Sequence, residues 1–346
     1  MKKYLFYISQ NYSFAILRPV QALLQQKGEQ IFWFFEGEDV NPTYLHKHEK
    51  RLFSINQVMA YQADVVLATA NRIPSFLPGL KVAVFHGFDA GKLDRRGHND
   101  HFKIRGCFDL YCTQGPSTTH EFQKLQDQLK FFNVIETGWP ALDPLFEKQP
   151  TFSKSDQPTI LFCSTFSKRL SCARQLHDTV RQISHNSRWR WLVQFHPKMG
   201  TDVVQMYRDL QHEHLSLIET DNIVPLLRQA DVMLCDTSSV IDMFIVQNKP
   251  VVTFANINAG DHLLDINDSR LLEQTLEIAI SRPIHLMQKI CCHIQRLHPY
   301  HDGQSSQRVI QAIEAVLSGQ YRLNRRRPCN WLRNLKFRKK LGYWKF

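Results

Sequence analysis

Short apolar runs alternate with amphipathic helical patterns along most of the chain. Between the runs lie helix candidates such as 14–27, closed by Gly28 as a C-cap, and 117–130. From residue 267 onward the pattern is helical. This alternation predicts an α/β architecture with parallel sheets. The runs that predict strands are 4–8, 30–35, 65–68, 81–85, 110–113, 133–137, 159–163, 191–195, 215–219, 232–235 and 251–254.

One break in this pattern indicates two domains. The chain has 346 residues, which is more than one hydrophobic core usually serves. The segment 144–158, PLFEKQPTFSKSDQP, combines prolines, serines and charges, as interdomain linkers do. We therefore expect an N-terminal Rossmann-like domain at 1–145, a second Rossmann-like domain at 158–318 and a basic, helical C-terminal tail at 319–346.

Positive charge is concentrated in that tail. Residues 322–346 contain ten Lys or Arg and no Asp or Glu, so they supply ten of the eleven net positive charges of the chain. Tryptophan, leucine, phenylalanine and tyrosine are interleaved with these charges, a composition that favours an anionic membrane surface. A helix docked on the protein with a solvated basic face is the structural alternative. Nucleic acid would meet the same charges, but we expect no nucleic-acid partner.

The cysteines and the apolar runs indicate the cellular compartment of the protein. The eight cysteines form no CxxC pair and mostly lie in apolar segments, which predicts a reduced, cytosolic protein with buried thiols and no zinc site. The apolar part of MKKYLFYISQNYS is too short for a signal peptide. No apolar run approaches the ~20 residues that span a bilayer.

The segment 231–250 is the most informative part of the chain. It predicts a buried strand, a turn containing Thr237, Ser238 and Ser239, and a helix that stops before Lys249 and Pro250. The first N–H groups of a helix lack internal partners and carry partial positive charge, so this turn could hold an anion such as phosphate. The alternative is that these hydroxyls are ordinary helix caps.

Other polar residues follow predicted strands. Ligands of open α/β sheets bind outside the carboxyl ends of the strands, and His86, His196, Lys168 and Arg169 each follow such an end. One strand-end histidine is weak evidence, but these three loops and the loop 236–239 together predict a site. The chain contains no GxGxxG, Walker A, HExxH or GxSxG motif. The remaining histidines, including His101, are expected at the surface.

The order of these motifs resembles the CDP-glycerol glycerophosphotransferase family, which includes the teichoic-acid primases and polymerases. The resemblance covers residues 80–315 and depends most on its last two motifs. The matching residues are His86-Gly87, Gly138-Trp139-Pro140 with Asp143, Ser164-Thr165-Phe166-Ser167, His196-Pro197, Asp236-Thr237-Ser238-Ser239-Val240-Ile241-Asp242 with Lys249-Pro250, and Asp302-Gly303 with Ser306 and Arg308.

The sequence departs from the family pattern at three places. The loop after His86-Gly87 is one residue longer than in the family. The arginine that often follows the G-x-P turn is Ala141 here, and the arginine of the P-T-F-R loop is Ser167. Lys168 and Arg169 follow directly, so basic groups could be supplied from shifted positions, or the donor or the acceptor could differ.

The resemblance implies a GT-B-like fold, with two Rossmann-like domains facing a cleft. It also implies transfer of glycerol phosphate from CDP-glycerol to a hydroxyl of a cell-envelope saccharide or lipid-linked acceptor, with release of CMP and without a metal or other cofactor. Histidine titrates near neutral pH, so His86 is the candidate general base. The protein is then expected in the cytoplasm, attached peripherally to the inner face of the cell membrane.

The departing CMP gathers charge that the second domain must neutralise. The resemblance assigns this role to His196 as a second catalytic residue and to donor-binding groups around it. Asp242 would orient the donor or a neighbouring group. Asp302 would bind the ribose or glycerol, or cap the helix that begins near Ser305. The donor-binding candidates are Lys168, Arg169, Asp236, Thr237, Ser238, Ser239, Asp242 and Asp302.

Two other functions fit the same motifs. A GT-B glycosyltransferase that uses a nucleotide-sugar in capsule or lipopolysaccharide synthesis would share the fold and the phosphate-binding turn. A non-catalytic nucleotide-binding scaffold would bind the donor without turnover.

Overall fold

The computed structural model describes residues 1–89, 97, 99–147, 157–196, 198–220, 222–321 and 325–344. The chain divides into two compact units. The first unit contains Met1–Phe146 together with Leu297–Phe346, and the second contains Glu147–Arg296.

Each unit is built around a parallel sheet. In the first unit the strand order is β3-β2-β1-β4-β5-β6-β7, and in the second it is β10-β9-β8-β11-β12-β13. The strands are β1 (Lys3–Ile8), β2 (Gln30–Phe35), β3 (Arg51–Leu52), β4 (Val65–Ala68), β5 (Leu80–Ala83), β6 (Leu110–Thr113), β7 (Asn133–Glu136), β8 (Thr159–Ser164), β9 (Arg190–Phe195), β10 (Leu215–Leu217), β11 (Val232–Cys235), β12 (Val251–Phe254) and β13 (Leu264–Ile266).

Helices connect the strands. They are α1 (Tyr12–Gln26), α2 (Ile55–Tyr61), α3 (Pro116–Leu129), α4 (Asp143–Phe146), α5 (Ala173–Ser184), α6 (Thr201–Asp209), α7 (Val224–Gln229), α8 (Val240–Ile245), α9 (Leu272–Ser281), α10 (Ile284–Leu297), α11 (Ser305–Leu317) and α12 (Trp331–Leu341). The predicted parallel α/β architecture is confirmed, and every predicted strand is present. Strand β3 was missed because it has only two residues, and β13 was missed because Leu264–Ile266 belongs to a short run between the polar segments 261–262 and 267–268.

Both sheets reverse their strand order beside their first strand. The reversal lies between β1 and β4 in the first unit and between β8 and β11 in the second. In doubly wound folds the crevice at such a switch point is where ligands bind. The carboxyl ends of these four strands are therefore the places at which functional residues are expected.

The continuous apolar strands are explained by burial on both faces of each sheet. In β1, Tyr4, Phe6 and Ile8 join one core cluster, whereas Leu5 and Tyr7 join another. Side chains alternate between the two faces of a strand, so a sheet covered by helices on both sides needs apolar residues at every position.

Helix α11 belongs to the first unit, which differs from the predicted domain boundary at residue 318. Its apolar face, with Val309, Ile310 and Ile313, is buried in the core cluster of β1 and α1. The start of the helix is held by Asp143, whose carboxylate accepts hydrogen bonds from the backbone N–H groups of Ser305 and Ser306 at 2.8 and 2.7 Å. Residues 148–156 of the predicted linker lie outside the described residues.

Two further expectations concern cysteines and membranes. Burial is confirmed for five cysteines, whereas Cys291, Cys292 and Cys329 are exposed.

Within the described part of the chain, no helix has the length and apolarity needed to cross a bilayer.

Candidate functional site

Asp236 organises the carboxyl edge of the second sheet. It follows β11 and is fully buried. Its carboxylate accepts hydrogen bonds from the hydroxyl of Ser164 and from the backbone N–H groups of Thr165, at 3.0 Å, and Cys172, at 3.2 Å. Its oxygens are buried and bonded to groups of the chain, and a contact between Asp236 and a donor stays a prediction. Asp236 positions the loops after β8 and β11.

The hydroxyls that follow Asp236 point to different partners. Thr237 accepts a hydrogen bond from the N–H of Ile257 at 3.2 Å, whereas Ser238 reaches the N–H of Val240 only at 3.5 Å. Ser239 is exposed and makes no side-chain capping bond among the described residues. The ordinary capping role is therefore not found for Ser239, and its hydroxyl is accessible to a ligand.

The helix after this turn is shorter than predicted. Helix α8 ends at Ile245 rather than just before Lys249, and Asp242 lies half-buried in its first turn. A helix of six residues has a small dipole. An anion at this turn would therefore be held by the hydroxyls and the neighbouring loops more than by the helix dipole.

A backbone hydrogen bond selects one tautomer of the neutral His196 ring. The backbone N–H of Lys198 donates to its Nδ1 at 3.0 Å, so the neutral ring carries its proton on Nε2. Partial burial, and then the charge of Lys198, lowers the pKa of His196. At neutral pH the ring can therefore donate one hydrogen bond from Nε2 to a phosphate oxygen. Pro197, the second residue of the predicted His-Pro pair, lies outside the described residues.

Four loops of the second unit contact one another at this edge. The ring of His196, after β9, lies 4.5 Å from that of Phe166, after β8. Asn256, after β12, donates to the backbone oxygen of Asp236 at 2.9 Å. Lys168 and Arg169 are exposed on the same β8 loop. Asn256 was missed by the sequence reasoning, although its place after a predicted strand could have identified it.

His86 lies at the carboxyl end of β5 in the first unit. Phe85, which is buried, has a φ of 46°, a conformation that is costly for a bulky residue and is found most often at functional sites. The turn leaves His86 exposed, with its ring 5.7 Å from that of Tyr12. Tyr12 follows β1 and is a second group at this edge that the sequence reasoning did not identify.

Two buried side chains hold the backbone on either side of His86. The indole of Trp139 donates to the carbonyl of Phe85 at 3.3 Å, and the amide of Gln114 donates to the carbonyl of Gly87 at 2.7 Å. Such support fixes the position of a reacting group. The sequence did not predict this role for either residue, because Trp139 is the variable middle residue of its motif and Gln114 belongs to none.

His101 differs from its expected surface position. Its ring stacks on Phe85 with centroids 5.2 Å apart, and burial lowers its pKa. The ring of His101 therefore packs against Phe85, the residue with positive φ that precedes His86.

The G-x-P turn packs against residues of the last motif. Gly138 has a φ of 79°, and a Cβ there would lie 3.0 Å from Nε2 of His298 and 2.5 Å from the hydroxyl of Ser305. The same Nε2 accepts a hydrogen bond from the N–H of Trp139 at 3.0 Å. These motif residues therefore build the first unit.

Asp302 also has a local role. It forms an ion pair with Arg308, which lowers the pKa of Asp302, and it accepts a hydrogen bond from the N–H of Gln304 at 3.1 Å, just before α11. Asp302 therefore stabilises the turn before α11, whereas the N–H groups at the start of the helix bond to Asp143. Asp302 lies in the first unit, whereas the other donor-binding candidates lie in the second, and its assignment to the donor-binding group stays a prediction.

Acidification should weaken the first unit through His298. Burial lowers the pKa of His298 from 6.5 to about 4, so between these pH values the unfolded chain takes up a proton that the folded chain refuses. Stability is therefore lost as pH falls, by about 2 kcal/mol between pH 7.5 and pH 5. Urea unfolding of wild-type protein and His298→Gln at both pH values checks this. An equal pH dependence in the two proteins would contradict it.

Known proteins resemble this chain in sequence over part of its length. No protein-family model matches the chain. The teichoic acid glycerol-phosphate primase of Bacillus subtilis (strain 168) is 24% identical over 233 residues, and the match covers 62% of this chain and 60% of the primase. The chain thus matches less than two thirds of the length of that relative.

Solved structures share the fold at low identity. The wall teichoic acid polymerase TagF has a TM-score of 0.65 and 16% identity, covering 93% of this chain and 90% of that one. A putative UDP-N-acetylglucosamine 2-epimerase from Listeria monocytogenes has a TM-score of 0.65 and 15% identity, covering 93% and 98%. The GT-B-like pair of Rossmann-like domains is confirmed, and so is the resemblance inferred from the ordered motifs.

Proposed function

We propose that this protein, a relative of the teichoic-acid glycerophosphotransferases, transfers glycerol phosphate from CDP-glycerol to a hydroxyl of a cell-envelope saccharide or lipid-linked acceptor and releases CMP. The comparisons support a transferase of cell-envelope synthesis. The donor, the acceptor and a cytoplasmic location at the inner face of the membrane are part of the proposal.

The observation that carries the proposal is the arrangement around Asp236. A buried carboxylate holds the loops after β8 and β11 together. Beside it, the hydroxyl of Ser239 is exposed and that of Ser238 makes only a long contact. His196 offers an Nε2–H on a loop in contact with the same edge. Neutral hydrogen-bond donors at the carboxyl edge of a parallel sheet suit a diphosphate.

The proposed reaction is a displacement at phosphorus. The acceptor oxygen attacks the glycerol-bearing phosphorus while its proton passes to His86. The bond between that phosphorus and the bridging oxygen breaks, and CMP departs with the electron pair. His196, Ser238 and Ser239 donate hydrogen bonds to the diphosphate, and Lys168 and Arg169 supply positive charge. Asp242 orients the donor. These groups of the chain account for the proton and the charge without a further cofactor.

A nucleotide-sugar donor is the second candidate. Ala141 and Ser167 stand where the family usually has arginine, so the charges of these two motifs differ from the family pattern. A solved structure of S. aureus MnaA with UDP shares the fold, with a TM-score of 0.64. Such a donor would be used in capsule or lipopolysaccharide synthesis.

A panel of donors tests the proposal. Full-length protein is incubated with CDP-glycerol or with nucleotide-sugars, in the presence of an envelope fraction as the source of acceptor, and nucleotide release is measured by chromatography. We expect CMP from CDP-glycerol and no nucleotide from the sugars. Release of a nucleoside diphosphate from a sugar donor would support the second candidate. Binding of CDP-glycerol without turnover would indicate a scaffold.

The two serines should determine donor affinity. Replacing both Ser238 and Ser239 by alanine removes two donors to phosphate, each worth about 1 kcal/mol. We expect the dissociation constant of CDP-glycerol, measured by calorimetry, to rise about tenfold or more. Ser281→Ala, an exposed serine at the end of α9, serves as the control. Equal affinity of the double variant and the control would remove the serines from the site.

A further inference from the structure

The C-terminal helix α12 has two chemically different faces. One face packs on the first unit: Phe337 is buried, the side-chain oxygen of Asn334 accepts a hydrogen bond from the N–H of Ser75 at 3.1 Å, and the guanidinium of Arg338 lies over the ring of Phe76. The ring of Tyr343, just beyond the helix, also stacks on Phe76 at 5.6 Å. The helix is therefore part of the first unit. This agrees with the alternative interpretation of the tail as a helix docked on the protein.

The opposite face exposes large apolar side chains. Trp331, Leu332 and Leu335 are 67%, 57% and 44% exposed. At 100° per residue these three share one arc of the helix with Lys336 and Lys339, which are also exposed. Soluble proteins rarely expose a contiguous cluster of large apolar side chains, so this arc is a candidate contact surface.

A basic groove lies beside that arc. It encloses about 400 Å³ and is lined by Arg72, Asn330, Trp331, Leu332, Arg333 and Lys336. Arg333 is held in place by the side-chain oxygen of Asn330 at 3.0 Å and by the carbonyl of Arg105. Three cations beside a tryptophan and a leucine combine groups that bind phosphate with groups that enter an apolar layer.

We infer that the groove and the exposed arc of α12 dock the protein onto an anionic phospholipid bilayer, with lipid phosphates in the groove and Trp331, Leu332 and Leu335 in the interface. Residues 322–346 carry no acidic side chain, so their charge complements an anionic surface. Tryptophan favours the headgroup region, and the leucines gain by leaving water. Nucleic acid would use the cations but would leave the two leucines exposed.

Vesicle binding tests this inference. The full chain is sedimented with vesicles of phosphatidylglycerol and phosphatidylcholine, and with vesicles of phosphatidylcholine alone. We expect binding to the anionic vesicles that weakens with salt, and a loss of about tenfold or more when Trp331 and Leu332 are both replaced by alanine. Replacing Lys336 and Lys339 by alanine should cause a similar loss at low salt, at about 1 kcal/mol, or fivefold, for each charge.

A matched control removes two charges elsewhere. Lys47 and Lys50 are exposed on the first unit, and replacing both by alanine should leave vesicle binding nearly unchanged. Equal binding of all three double variants, or tail-dependent binding of a labelled RNA without binding of vesicles, would overturn the inference. The inference rests on the proposed function and adds the surface by which the protein would bind the membrane. Because the assay contains no donor, vesicle binding and transfer can fail separately.

Discussion

Replacing His86 by alanine is expected to lower CMP release from CDP-glycerol by about 10²- to 10⁴-fold, the range for loss of a general base. The side chain is exposed, so the fold should be retained, as far-ultraviolet circular dichroism and thermal unfolding can check. Donor affinity should change little, because the groups proposed to bind the donor phosphates lie in the second unit. The loss should therefore be found in kcat.

His120→Ala is the matched control for this variant. His120 is an exposed histidine of α3 in the same unit, and its replacement should leave CMP release within a factor of about two of wild type. Wild-type release by the His86 variant would exclude His86 as the base. Tyr12, the aromatic neighbour of His86, would then be the next group to replace.

Replacing Asp236 by alanine is expected to destabilise the second unit by about 3 kcal/mol or more. The change leaves the hydroxyl of Ser164 and the N–H groups of Thr165 and Cys172 without their acceptor, and each buried unsatisfied group costs about 1–3 kcal/mol. The loops after β8 and β11 should also lose their arrangement. We therefore expect lower stability in urea unfolding together with loss of CDP-glycerol binding.

Asp231 offers a control at the other end of the same strand. Its carboxylate, just before β11, accepts a hydrogen bond from the N–H of Thr159 at the start of β8, at 2.9 Å. Asp231→Ala therefore also removes a side-chain hydrogen bond between the segments of β8 and β11. It should cost about 1–2 kcal/mol and leave donor affinity unchanged. If both variants bind CDP-glycerol as wild type does, the loops held by Asp236 do not form the donor site.

Much of the fold could be predicted from the sequence, because apolar strands alternate with helices and buried parallel strands carry apolar residues on both faces. The place of α11 could not be predicted in this way. Its apolar face, including Ile310 and Ile313, shows that the helix is buried, but periodicity does not say against which sheet. Asp143, which holds the start of α11, is far from it in sequence.

The strand-end positions of the candidate residues were predictable from the sequence, whereas the contacts of their side chains were less so. The strand-end rule located His86, His196 and Ser239 because it depends on sheet topology. It could not show that the carboxylate of Asp236 faces inward, since a buried acceptor and a ligand-binding acid look alike in a sequence. Trp139 was missed for a similar reason, because its indole supports His86 from a distant turn.

The most direct test follows the oxygen atoms of the reaction. The full chain is incubated with CDP-glycerol and an envelope fraction in ¹⁸O-labelled water, and CMP and the glycerol phosphate products are analysed by mass spectrometry. We predict that CMP forms without ¹⁸O, and that any hydrolytic product carries the label in glycerol phosphate, because the glycerol-bearing phosphorus is attacked. Label in CMP, or no CMP formed from CDP-glycerol, would contradict the proposed transfer.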